Sequence, residues 1–119
     1  MGNLNDNAEL DWEQLDMIAD GYTPDFVEIY HEFLDQTPGL FDALEGHLTE
    51  QNVQAAGNTA HKIKGSSANF GFAGVSEPMA RLERQAKESG TIAEAREWLQ
   101  AARDSFARVT SEVREKRAI

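Results

Sequence analysis

No cysteine occurs among the 119 residues, which removes both disulfide frameworks and thiolate metal sites and fits a reducing compartment. Basic residues are scarce: 11 stand against 21 acids, for a formal net charge of −10. No basic stripe exists to displace counterions, so the composition argues against nucleic-acid binding. No apolar run is long enough to cross a bilayer, and the N-terminal MGNLNDNAELD has neither a basic n-region nor an apolar h-region. A cytoplasmic protein away from membranes is expected. Strand-like alternation, internal repeats and low-complexity tracts are missing as well. What remains is a chain of the right length for one domain on a single core.

Helical periodicity fills most of it. Asp11 is an N-cap with Gln14 three residues on, and Leu10 and Leu15 stand where a hydrophobic staple needs them, so a short first helix should run to Asp20 and stop at Gly21. Thr23-Pro24 starts a second helix, with Phe26, Ile29, Tyr30, Phe33 and Leu34 as its apolar stripe through Asp35 or Gln36. Thr37-Pro38 repeats the device and predicts a sharp break before a third helix carrying Leu40, Phe41, Leu44 and Leu48 inward. A fourth helix spans Val53 to Phe70, and Gly71 and Gly74 then open a bend. The next helix is expected from about Ser76, with Pro78 in its first turn, and Ser89-Gly90 closes it. Thr91 and Glu94 make a capping box for the last and longest helix, on which Ile92, Ala95, Leu99, Ala102, Phe106, Val109 and Val113 face inward. The fold class is all-α, an antiparallel up-and-down four-helix bundle with a short additional N-terminal helix. The expected domain covers residues 9–117, with residues 1–8 a flexible N-terminus and the basic REKRAI tail loose.

One absence is local. From Gln51 to Ser76 there is no Asp or Glu, yet Lys62 and Lys64 lie there beside His61. On that helix Val53, Ala56, Ala60, Ile63, Ser67 and Phe70 form the core face, while Gly57, His61, Lys64, Gly65 and Ala68 collect on a second one. Glycine inside a helix costs about 1 kcal/mol relative to alanine, so Gly57 and Gly65 need another reason. Close packing against a neighbouring helix is one; room for a large visitor beside an accessible imidazole is the other. An environment kept free of anions suits a phosphoryl group. Neutral imidazole supplies a lone pair, provided an acceptor fixes the proton on its other nitrogen. Glu83, one position after the inward Leu82, is either that acceptor at a helix seam or a solvated Glu on an exposed face, which position alone favours; Lys64, one turn after His61, can offset phosphoryl charge. Lys87, four residues after Glu83, is either a second cation or an ordinary surface partner of that Glu.

The run HKIKGSSANFG (His61 to Gly71), followed by a helix ending in MARLE (Met79 to Glu83), resembles the signature of histidine-containing phosphotransfer (HPt) domains. These helical bundles relay phosphoryl groups between receiver domains in two-component signalling. The resemblance implies a phosphorelay carrier, with His61 as phosphoacceptor through Nε2. It also implies Glu83 in the place of the Glu or Gln that orients the ring twenty-two residues on, and Lys64 in that of the family lysine. Gly65 matches the glycine that lets a partner loop approach; Gly57, Ala68 and Lys62 complete the expected docking residues. The partners implied are response-regulator receiver domains, with a hybrid sensor histidine kinase a further candidate. No cofactor belongs to this chain, since the Mg²⁺ belongs to the receiver, and the carrier is expected to be a monomer.

Three other readings compete. Glu28-x-x-His31 has the spacing of di-iron bundles, but only one copy exists where two are required, and no metal site is expected. A bundle that binds receivers without carrying phosphate would have lost His61 or Lys64. A histidine-kinase dimerisation helix is disfavoured because Lys62 follows His61 where such kinases place an acid. No P-loop order is present, so neither an ATP site nor kinase activity is expected. Phe70, Phe72, Trp12 and Met17 are left open between core and docking surface.

Overall fold

The computed structural model describes residues 9–88 and 91–119. These form five α-helices: α1 (Trp12–Ala19), α2 (Pro24–Thr49), α3 (Val53–Asn69), α4 (Ala73–Lys87) and α5 (Ile92–Arg117). Helix α2 packs on α3, α3 on α4, α4 on α5, and α5 closes back on α2. The short connections make sequential helices antiparallel, so the result is an up-and-down four-helix bundle with α1 added at one end. The expectations for residues 1–8 and for Ser89-Gly90 lie outside the described residues.

Local chemistry fixes the helix starts. The Asp11 carboxylate accepts from the Gln14 N–H at 3.1 Å, and Leu10 and Leu15 are both buried as the staple requires. Thr23 and Thr91 cap α2 and α5 by accepting from the N–H groups of Phe26 and Glu94. Helix α1 ends where Asp20 and Gly21 turn left-handed, at φ 47° and 86°.

Two prolines do not end helices. Contrary to the expected break at Thr37-Pro38, α2 runs unbroken for 26 residues and matches α5 in length. The missing N–H of Pro38 costs about 3 kcal/mol in a helix interior. Against that, Phe26, Tyr30, Phe33, Phe41, Leu44 and Leu48 are all buried on one phase-continuous stripe, each contributing roughly 1.5–3 kcal/mol. Buried Thr37 sits on this stripe and donates its hydroxyl to the Phe33 carbonyl at 2.7 Å, so it is no N-cap. Helix α4 likewise begins at Ala73, ahead of the expected Ser76, and holds Pro78 internally. Its start is secured from outside. The Gly74 N–H donates to the Glu9 carbonyl at 2.9 Å, and the Asp11 N–H donates to the carbonyl of Gly71, which turns at φ 78°. Gly74 therefore lies within α4, where a Cβ would run into the Ser105 hydroxyl of α5.

All six phenylalanines join one aromatic cluster with Tyr30, in which Phe33 lies 4.6 Å from Phe70 and 5.0 Å from Phe72 between ring centres. Phe70 and Phe72 are thus core. Ile29, placed inward by spacing, instead faces solvent, as does Met17 of α1. The C-terminal tail is fastened, not loose. Arg117 makes two bonds to Asp16, at 3.1 and 3.0 Å, and covers the Trp12 ring at 4.5 Å. No helix among the described residues is long and apolar enough to cross a membrane.

Candidate functional site

Helix α3 carries His61 on the flank turned toward α4. Ala56, Ala60, Ile63 and Ser67 bury the opposite side, and the Asn52 cap, which accepts from the Ala55 N–H, sets the rotation from which the face follows. The other end of α3 is pinned by α1: Gln14 donates to the Asn69 carbonyl at 3.1 Å, satisfying an end carbonyl of the helix. The imidazole therefore stands on a rod held at both ends.

His61 keeps 64% of its side-chain surface open. Its Nδ1 lies 2.8 Å from Oε2 of Glu83, which reaches across from α4 and is itself buried. The other carboxylate oxygen, Oε1, accepts from Lys64 Nζ at 2.7 Å. Lys87, one turn beyond Glu83, holds its ammonium 3.5 Å from Oε2. The Lys64 hydrogen bond is the main cause that holds the Glu83 carboxyl down at about 2; burial opposes it, and the His61 hydrogen bond adds to it.

An ionised carboxylate has no proton to give and can only accept. Glu83 is ionised at neutral pH, so Nδ1 of His61 must be the donor, and in the neutral ring the lone pair falls on Nε2. That nitrogen is the outward one of a ring largely open to solvent. In that tautomer the ring presents a positioned nucleophile. The same carboxylate stabilises positive charge that develops on the ring when Nε2 forms a bond.

The anticipated docking residues divide. Lys62, Gly65 and Ala68 are exposed, and a Cβ added at Gly65 would meet nothing within 4 Å. Gly57 is buried, and a Cβ there would come within 3.1 Å of the Ala86 Cβ of α4, so its place on an accessible face is corrected: this glycine serves helix packing. Exposed Ile29, a neighbour of Ser66 and Phe70 across the α2–α3 groove, had no signal in the spacing, which counted it as apolar and inward. His31 is exposed with Nε2 3.0 Å from the Ile119 carbonyl, and no group of three or more His, Asp or Glu side chains able to hold a metal converges among the described residues.

Residues 28–112, well over half of the chain, match the Hpt domain family. The chain belongs to that family. The matched span contains all of α3 and α4, and with them His61, Lys64 and Glu83. The Hpt domain is also 26% identical over 86 residues to the phosphorelay intermediate protein YPD1 of Candida albicans, an alignment that takes in 67% of this chain and 45% of that protein. The chain thus spans less than half the length of that relative.

Proposed function

We propose that this Hpt domain is a phosphorelay carrier that accepts a phosphoryl group on His61 from the aspartyl phosphate of one receiver domain and passes it to another. The observation that carries this reading is an open imidazole whose Nδ1–H is held by a buried, ionised carboxylate. The Nε2 lone pair attacks phosphorus in line. The N–P bond forms as the P–O bond to the aspartyl carboxylate breaks, and the carboxylate leaves with the electron pair. In the return step a receiver carboxylate attacks phosphorus and the pair goes back to Nε2. Positioning and charge do the work. Lys64, three residues from His61 on the same flank, offsets charge on the phosphoryl oxygens, and the divalent ion belongs to the receiver.

Receiver docking is assigned to the exposed surface of Lys62, Gly65 and Ala68, extended by the apolar Ile29 and Met17. The chain supplies no phosphorylating activity of its own in this scheme; the group arrives on a partner. The test is transfer from a receiver domain loaded with acetyl phosphate. An acid-labile, base-stable adduct is expected on the native chain and none on His61→Ala. Labelling that survives the substitution puts the acceptor elsewhere and ends the proposal.

A further inference from the structure

The resting site holds more positive charge than its carboxylate needs. Glu83 has one negative charge, and two ammonium groups face it: Lys64 at 2.7 Å on Oε1 and Lys87 at 3.5 Å beside Oε2. Only the first is at full hydrogen-bond distance. Lys87 is 74% exposed, contributes nothing to the core, and stands one helical turn beyond Glu83 on α4. Lys87 also lines a hollow with Val53, Gln54, Gly57 and Asn58, all of them N-terminal to His61 on α3.

A phosphoryl group on His61 changes the demand on Lys64. The new anion arrives three residues away on the same helix and competes for an ammonium already committed to Glu83. If Lys64 turned to the phosphoryl oxygens with nothing in its place, Glu83 would lose its shortest cationic contact at the moment when its hold on the ring matters most. We propose that Lys87 is a positioning residue: it closes on Glu83 as Lys64 moves to the phosphoryl group, and so keeps the carboxylate on Nδ1–H of the phosphorylated ring. This rests on the carrier reading above. Lys87 acts through Glu83 and does not touch phosphorus.

The consequence is thermodynamic. Lys87 interacts more strongly with Glu83 in the phosphorylated state than in the resting one, so removing it shifts phosphoryl exchange toward the receiver. The experiment measures the equilibrium distribution of phosphate between His61 and a receiver domain loaded from acetyl phosphate, for the native chain, Lys87→Met, Glu83→Gln and the double variant. Lys87→Met is expected to move the distribution about fivefold toward the receiver, the size of a contact pair's coupling. In the Glu83→Gln background, where a neutral amide needs no cation, the same substitution should move it by less than about twofold. Lys87→Arg should restore the native distribution.

Imidazole nitrogen NMR supplies a second readout. Lys87→Met should leave the His61 signals of the resting protein unchanged, because Lys64 still holds Glu83, and alter them only in the phosphorylated protein. An effect of Lys87→Met equally large with Gln at position 83 would mean direct contact with the phosphoryl group, and would overturn the proposal. No effect in either background would overturn it too. Absence of label on native His61 would instead overturn the carrier reading, and this inference with it.

Discussion

Replacing Glu83 with glutamine removes one charge and little volume, and its effect on stability should depend on pH in a direction the structure dictates. The folded carboxyl titrates at about 2 against an ordinary value of 4.5. Above about pH 5 the group is ionised in folded and unfolded chains alike, and the stabilisation is fully present. As pH falls below 4.5 the unfolded chain takes up its proton first, the folded one resists, and the contribution shrinks until it is gone near pH 2. At face value the shift corresponds to about 3 kcal/mol, at about 1.36 kcal/mol per pH unit. The partners are not buried with Glu83, since the Lys64 and His61 side chains are 34% and 64% exposed. Solvent screening of that kind brings the figure to about 1–2 kcal/mol.

Urea unfolding of native protein and Glu83→Gln, followed by helical circular dichroism, gives the difference directly. It should be about 1–2 kcal/mol at neutral pH and more than half lost at about pH 3. Other carboxylates held down by arginine, such as Glu9 by Arg108 and Asp16 by Arg117, titrate in both proteins and cancel from the comparison. A difference that persists unchanged in acid would mean that the ionised carboxylate is not its source. A difference of zero at neutral pH would mean that the Lys64 and His61 contacts contribute nothing to the fold.

Three further outcomes follow from named contacts. Lys64→Ala should slow phosphoryl transfer by roughly 10- to 100-fold with the bundle intact; global unfolding would contradict its half-exposed position. Gly65→Gln should raise helix stability by roughly 0.5 kcal/mol, since nothing obstructs a side chain there. It should still cut transfer from a receiver at least about tenfold by blocking approach, while labelling by the small donor phosphoramidate is retained; unchanged receiver transfer would remove Gly65 from the docking surface. Pro38→Ala should stabilise the protein by about 1–3 kcal/mol in the same urea assay, because it restores a donor inside a continuous helix. A neutral or destabilising result would fit a helix that begins at Pro38 instead.

The fold was legible wherever a signal was local and its competitor weak. Asp11, Thr23 and Thr91 cap helices because those N–H groups have no partner within their own helix, and sequence shows this directly. Thr37-Pro38 presents the same letters as Thr23-Pro24 with the opposite outcome. The distinguishing signal was the phase of the stripe: Phe33, Thr37 and Phe41 continue it at steps of four straight through the proline, and that burial outweighs one lost hydrogen bond. Helix α4 could not be placed from its own residues. Its first turn is satisfied by the Glu9 carbonyl more than sixty positions earlier in the chain, and Arg117 is held by Asp16, 101 positions earlier. Such partners become neighbours only after the bundle has formed.

The site was more legible than the fold because its geometry is a relation between two helices pinned by one contact. His61 and Lys64 share a flank of α3 by periodicity alone, whereas position left Glu83 open to being a solvated surface residue and only the family resemblance singled it out; in the structure it is buried and reaches both donors across the α3–α4 seam. Periodicity failed on the glycines for a reason that the same seam explains. Gly57 and Gly65 are eight residues apart and so stand about 80° apart around the axis; Gly57 turns toward Ala86, and Gly65 turns toward open solvent. One absent side chain brings α3 close enough to α4 for Glu83 to meet the ring. The other leaves space beside that ring for a visiting protein. An alanine at each position would separate the two roles. At Gly57 it has to displace α4 by a few tenths of an ångström and should disturb the His61–Glu83 contact; at Gly65 it should leave that contact untouched.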